Sequence, residues 1–81
     1  MDMLEKRDFY RAQPNFQKVF MSLVYGLKPD TLIAQLKDEK WYELKFVPLR
    51  DKWVVSIKET PRPTDYELGL LRWLNNKHTL N

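Results

Sequence analysis

No cysteine occurs among the 81 residues, which excludes a disulfide framework, a cysteine-ligated zinc site and a thiol nucleophile. A cytoplasmic setting fits a chain without disulfides. Glycine is scarce: Gly26 and Gly69 are the only two, so no glycine-rich phosphate loop can form. His78 is the single histidine and lies near the chain end, where a solvated side chain is the ordinary reading. No apolar run approaches the roughly 20 residues a membrane-spanning helix needs, and no membrane association is expected. The opening Met1-Asp2-Met3-Leu4-Glu5-Lys6-Arg7-Asp8 lacks the apolar core of a signal peptide.

Catalytic constellations are equally thin. Ser22 and Ser56 have no nucleophile-elbow context and no histidine nearby in sequence. The carboxylate pairs Asp38-Glu39 and Asp65/Glu67 sit at expected helix ends, where capping and solvation explain them. No metal-ligand cluster is visible. These absences point away from an enzyme and away from any cofactor.

What is present is apolar and aromatic. Apolar residues make up 43% and aromatics 14%, enough for a modest core in one small domain. The net charge of +3 mixes 14 basic with 11 acidic residues, a balance that permits nucleic-acid binding without a basic stripe to argue for it.

The clearest pattern lies in residues 41–58. Tyr42, Leu44 and Phe46 alternate with Glu43 and Lys45; Trp53, Val55 and Ile57 alternate with Val54, Ser56 and Lys58. Alternation with β-branched and aromatic residues predicts two strands of an antiparallel hairpin. Pairing Phe46 with Trp53, Leu44 with Val55 and Tyr42 with Ile57 gathers the apolar side chains on one face. That register leaves a loop of four residues, Pro48-Leu49-Arg50-Asp51. The other face carries Glu43, Lys45, Ser56 and Lys58 with Trp41, Val47 and Val54.

Around the hairpin, residues 2–12 predict a polar helix with Leu4, Phe9 and Tyr10 as its apolar members, stopped by Pro14. Lys6, Arg7, Arg11 and Lys18 beside it read as a solvated face. Residues 16–25 admit two readings. Strand spacing places Val19, Met21, Leu23 and Tyr25 on one face; helical spacing makes a stripe of Phe16, Val19, Phe20, Leu23, Val24 and Leu27. Composition favours the strand. Asp30 is a good N-cap for a helix over 30–37, with Leu32, Ile33 and Leu36 inward. After the stiff Pro61-Arg62-Pro63 step, Thr64 and Glu67 match a capping box, which predicts a helix over 64–76. Leu70, Leu71 and Leu74 face inward, flanked by Tyr66, Leu68 and Trp73, and Gly69 suggests a close approach to the sheet.

With 16–25 as a strand, the chain is an α+β half-plait, its third strand beside 53–58. Helices 30–37 and 64–76 then cover one face. In outline the Trp53 strand and the proline-rich step into the last helix resemble small plait-type regulators such as the ribonuclease E inhibitor family, with no shared motif to carry over. The uncovered sheet face would expose Trp41, Val54 and Phe20, with Phe9 and Tyr10 of the first helix nearby. This implies a non-catalytic protein-binding module, a regulator, inhibitor or adaptor, or else self-association through the sheet.

With 16–25 helical, the order becomes that of a winged helix. Gly26 to Leu32 then resembles the turn and recognition-helix start of helix-turn-helix proteins. It departs from that pattern at Gln35, where an apolar residue is usual, and Asp30, Asp38 and Glu39 would oppose phosphate. In that reading Lys28, Thr31, Gln35 and Lys37 contact DNA, and Arg50 and Lys52 stand on the wing.

Overall fold

The computed structural model describes residues 3–22, 31–50 and 52–79, the side chains of Pro48, Trp53 and 77–79 excepted. Helix α1 (Met3–Arg11) is followed by four strands, β1 (Phe16–Met21), β2 (Thr31–Leu36), β3 (Trp41–Leu49) and β4 (Lys52–Thr60), and then by helix α2 (Asp65–Thr79). The strands form one sheet in the order β1-β2-β3-β4, each antiparallel to its neighbour. The class is α+β, with two helices on a four-stranded meander.

The helices cover opposite faces. Directly opposed residues share a face, so the register sorts the core into two sets. One set is Val19, Met21, Leu32, Ala34, Leu44 and Phe46, against which Met3, Leu4 and Tyr10 of α1 pack. The other is Phe20 and Trp41 with Leu68 and Leu71 of α2, with Ile33 packed beside them. The buried stripe of α1 runs Met3, Lys6, Arg7, Tyr10, the spacing of one helix face. Two of those four are cations. The Lys6 ammonium lies 4.7 Å from the centre of the Phe46 ring, a cation–π contact against the core. Phe9 points to solvent and meets Tyr10 edge-on.

A bulge sets the start of β1. Phe16 pairs with Leu36 and Lys18 with Gln35, which leaves Gln17 as the extra residue. Without it, strict alternation would send Phe16 to the α2 face. With it, Phe16 turns to the α1 face and packs 5.2 Å from the Tyr10 ring.

Residues 31–36 correct the expected helix over 30–37: Thr31-Leu32-Ile33-Ala34-Gln35-Leu36 is an interior strand. Leu32 and Ala34 bury toward α1 while Ile33 packs toward α2. A strand covered on both faces shows a continuous apolar run rather than alternation, and a short run of that kind also satisfies helical spacing. Asp30, the expected N-cap, lies outside the described residues. The strand reading of 16–25 holds for Phe16–Met21; residues 23–25 lie outside the described residues. That strand pairs with β2 rather than with 53–58. With 31–36 a strand and every described strand pair antiparallel, the half-plait arrangement gives way to the meander. The winged-helix alternative falls with the same two strands, because its second and third helices are β1 and β2.

The hairpin over 41–58 is present, with its register two residues from expectation. Phe46 pairs with Val55, Leu44 with Ile57 and Tyr42 with Glu59. A shift of two keeps every side chain on its expected face. It lengthens both strands to 9 residues and shortens the connection, which now runs only between the paired Leu49 and Lys52. Arg50 has a φ of 56°, the left-handed region that two-residue hairpins use. The turn after β2 uses Glu39 at φ 69°. There the Lys40 N–H and the Tyr42 hydroxyl donate to the two Asp38 oxygens at 2.9 and 2.8 Å. These bonds hold the Asp38 carboxyl below its ordinary pKa, and the same bond raises the Tyr42 hydroxyl.

Helix α2 begins as its sequence predicts. Thr64 N–H donates to Glu67 Oε1 at 2.9 Å, and Glu67 N–H donates to Thr64 Oγ1 at 3.1 Å. Its buried stripe is Leu68, Leu71 and Asn75, with Leu70 and Leu74 half-buried and Tyr66 and Trp73 exposed. Gly69 has open space where a Cβ would stand, so close approach to the sheet does not account for it.

Candidate partner-binding surface

The sheet has two edges, and they are built differently. At the β1 edge the buried Asn75 side chain acts as a short substitute strand. Its Oδ1 accepts the Met21 N–H at 2.8 Å, and its Nδ2 donates to the Met21 carbonyl at 3.3 Å and the Leu71 carbonyl at 2.7 Å. Arg7, also buried, reaches round the same edge from α1. Its Nη1 donates to the Asn75 backbone carbonyl at 3.2 Å and to Asn75 Oδ1 at 3.3 Å, while Asp8 pairs with its guanidinium at 3.1 Å. Arg11 Nε donates to the Val19 carbonyl at 2.9 Å. Burial, and then the neighbouring Arg7, push the Arg11 pKa down, while Asp8 opposes the shift. Helices on opposite faces are thus joined across one strand edge.

The register shows which backbone groups lie on each edge. Ser22 N–H donates to the Thr31 carbonyl at 3.0 Å, so Phe20 and Ser22 turn toward β2 and Val19 and Met21 turn outward. In an antiparallel ladder this alternation propagates. Leu32 and Ala34 bond to Leu44 and Tyr42 of β3, and Glu43, Lys45 and Val47 bond to Lys58, Ser56 and Val54 of β4. The N–H and C=O groups of residues 53, 55, 57 and 59 therefore point away from the sheet. Among the described residues nothing pairs with them.

The β3–β4 arm also exposes apolar side chains. Val47, Leu49 and Val54 share the α2 face of the sheet, beyond the part that α2 covers, and are 42%, 58% and 44% exposed. Exposed Lys45, Lys52 and Lys58 lie on the same face, and Arg50 stands at the turn. On the opposite face Ile57 is 52% exposed. The result is an apolar strip ringed by cations.

The expected contact set is only partly assembled. Phe20 and Trp41 are buried beneath α2 and take no part in an exposed face. Tyr10 is half-buried between the rings of Phe16 and Phe46, on the α1 side. Phe9 is exposed on that same side, away from Val54, so Val54 alone remains on the exposed sheet face. The residues expected to meet DNA are scattered. Thr31 is buried in β2, Gln35 Nε2 donates to the Glu39 carbonyl, Lys37 lies in the next turn, and Lys28 is outside the described residues. Arg50 and Lys52 are exposed at the arm as expected, but the recognition helix they were to accompany is a strand. Sequence reasoning missed Leu49, placed in a loop by the offset register, and Asn75, whose polar side chain gave no sign of burial.

A cleft of about 320 Å3 opens beside the start of α2, lined among others by Ser22, Glu43, Thr60, Arg62 and Glu67. Glu67 is engaged in the helix cap, which depresses its pKa. No grouping of three potential metal ligands occurs among the described residues. No described helix is long and apolar enough to cross a membrane. No protein-family model, curated protein or solved structure matches this chain.

Proposed function

We propose that the chain is a non-catalytic protein-binding module that acts as a regulator, inhibitor or adaptor. Its contact surface is the exposed face of the β3–β4 arm, and its partner is an acidic protein surface with apolar side chains. The observation that carries this reading is the placement of Val47, Leu49 and Val54 side by side within a ring of Lys45, Arg50, Lys52 and Lys58. Covering those three apolar side chains supplies affinity, at about 1.5–3 kcal/mol for each one fully buried. The cations contribute orientation and encounter rate, and they exclude basic partners. The paired strands of the arm hold this surface in place, which lowers the ordering cost.

Backbone NMR titration with acidic leucine-containing peptides, their lysine-substituted counterparts and duplex DNA tests the reading. Shift changes with the acidic peptides should concentrate at 45–49 and 52–58. Val54→Asp, on an exposed site, should keep the fold and weaken that binding by roughly tenfold or more. Tight, steeply salt-dependent binding to the duplex with no response to Val54→Asp would instead make the arm a phosphate-contacting element. Acidic-peptide shifts centred on Phe9 and α1 would move the surface to the other side of the sheet.

A further inference from the structure

The outer edge of β4 is a surface distinct from the arm face, and it carries a separate consequence. It runs for 9 residues, and its only charged side chains are Lys52, Lys58 and Glu59. The stretch 53–57 between them is Trp-Val-Val-Ser-Ile, with strong strand propensity and no charge. Long edge strands are usually blunted by a central charge, a proline or a covering element. Here the described residues supply none of these, although the same sheet has its β1 edge closed by Asn75 and Arg11.

We infer that two copies of this chain pair through β4, antiparallel about a two-fold axis at Ser56, into one continuous eight-stranded sheet. Several observations select this occupant and this register. Opposed residues must lie on the same face, and the outward groups belong to residues 53, 55, 57 and 59, so the axis must pass through a residue rather than between two. An axis at Val55 would set Lys52 opposite Lys58 of the second copy, and the reverse, opposing like charges twice. An axis at Ile57 would pair residue 53 with Pro61, which has no N–H to give. An axis at Ser56, the midpoint of Lys52–Thr60, uses the whole strand. It sets Val55 opposite Ile57 of the second copy, and Ile57 opposite that copy's Val55. Lys58 faces Val54 and Lys52 faces Thr60, so no like charges are opposed. The half-exposed Ile57 gains an apolar neighbour, and every outward amide and carbonyl from residue 53 to 59 gains a partner.

The register makes the test specific. Ser56→Cys introduces the chain's sole thiol. Across the axis two such residues form a non-hydrogen-bonded pair, with Cα atoms about 4.5 Å apart, inside disulfide range. Under mild oxidation at equal concentration, Ser56→Cys should form a covalent dimer at least about tenfold faster than Lys58→Cys, whose two copies lie about four residues apart along the ladder. Ile57→Pro removes one outward N–H per copy and leaves the bonds to β3 intact. By sedimentation it should weaken the dimer about tenfold or more while circular dichroism stays that of the wild type. The inference is overturned if the wild-type chain sediments as a monomer at millimolar concentration. It is equally overturned if Lys58→Cys cross-links as fast as Ser56→Cys, which decides the matter even where Ile57→Pro does not fold. A wild-type monomer whose β4 amides become protected by an added extended peptide would assign the edge to a foreign strand. The arm-face reading keeps its own readout, peptide binding by the Val54→Asp variant, and is scored separately from these outcomes.

Discussion

The two edges of this sheet meet the same physical demand in opposite ways. An edge strand presents unpaired amides and carbonyls, and water or protein must satisfy them. At β1 the protein does so with side chains: Asn75 takes both polar groups of Met21, and Arg11 takes the Val19 carbonyl. At β4 no described side chain reaches the outward groups of residues 53–59. The difference follows from helix placement. Helices α1 and α2 pack on opposite faces over the β1 side of the sheet, so their polar residues meet round its edge. The helices reach Phe46 and Trp41 of β3, but neither closes the outer edge of β4. The closed edge therefore belongs to stability and the open edge to association, which is why Met21 is buried and Ile57 is not.

The comparison breaks first at Asn75. Asn75→Ala strands the Met21 N–H and carbonyl and removes an acceptor of the buried Arg7 guanidinium. Each buried polar group left without a partner costs about 1–3 kcal/mol, more where a charge is involved. Urea denaturation should show a loss of about 3–5 kcal/mol, a large share of what a domain of this size holds. The freed β1 edge should then behave like β4 and promote association of the variant.

Arg11→Ala tests the outer end of the same edge. Its bond to the Val19 carbonyl is charge-assisted, yet the side chain is largely exposed, so water can replace it. The expected loss is about 1 kcal/mol by the same denaturation. A loss as large as that at Asn75 would mean that the whole β1 edge, rather than one buried asparagine, holds the helices together.

How legible this division was in the sequence depends on what each residue type advertises. Alternation in 41–58 identified the hairpin and its faces, because the outer strand pair is polar on one side. The capping box at Thr64 and Glu67 identified the start of α2, because its two reciprocal bonds need those residues at that spacing. Strand β2 was illegible as a strand: covered on both faces, it shows no alternation, and Leu32, Ile33 and Leu36 also satisfy a helix. Helix α1 hid its inward face because Lys6 and Arg7 occupy it. With β2 read as a helix and α1's burying face unseen, Phe20 and Trp41 were left on a bare sheet face, whereas α2 covers them. Val54 was placed correctly because its exposure depends only on the hairpin's own alternation. Asn75 could not be found from sequence, since a polar residue among Leu70, Leu71 and Leu74 reads as a break in the stripe. Its burial follows from a strand edge some 54 residues away.

The smallest effect concerns the far end of α2, where acid should loosen the helix start without opening the closed edge. Glu67 accepts the Thr64 N–H, which holds its carboxyl below the ordinary range in the folded chain. A depressed folded pKa stabilises the fold above the unfolded value and loses that contribution as pH falls through the folded pKa. The window therefore lies below the usual glutamate range of about 4.3. Because Glu67 lies at the surface, where solvent screens its charge, the effect on global stability is the slightest of the three. Glu67→Gln keeps the acceptor that the capping box needs and removes the charge, so it should remove this contribution to the acid dependence, leaving that of Asp38, with neutral-pH stability nearly unchanged. Amide exchange separates the two ends. On acidification the Glu67 N–H, bonded to Thr64 Oγ1, should lose protection, while the Met21 N–H, held by uncharged Asn75, should keep it. If Met21 loses protection together with Glu67, helix α2 opens as one unit, and closure of the β1 edge depends on the cap as much as on Asn75.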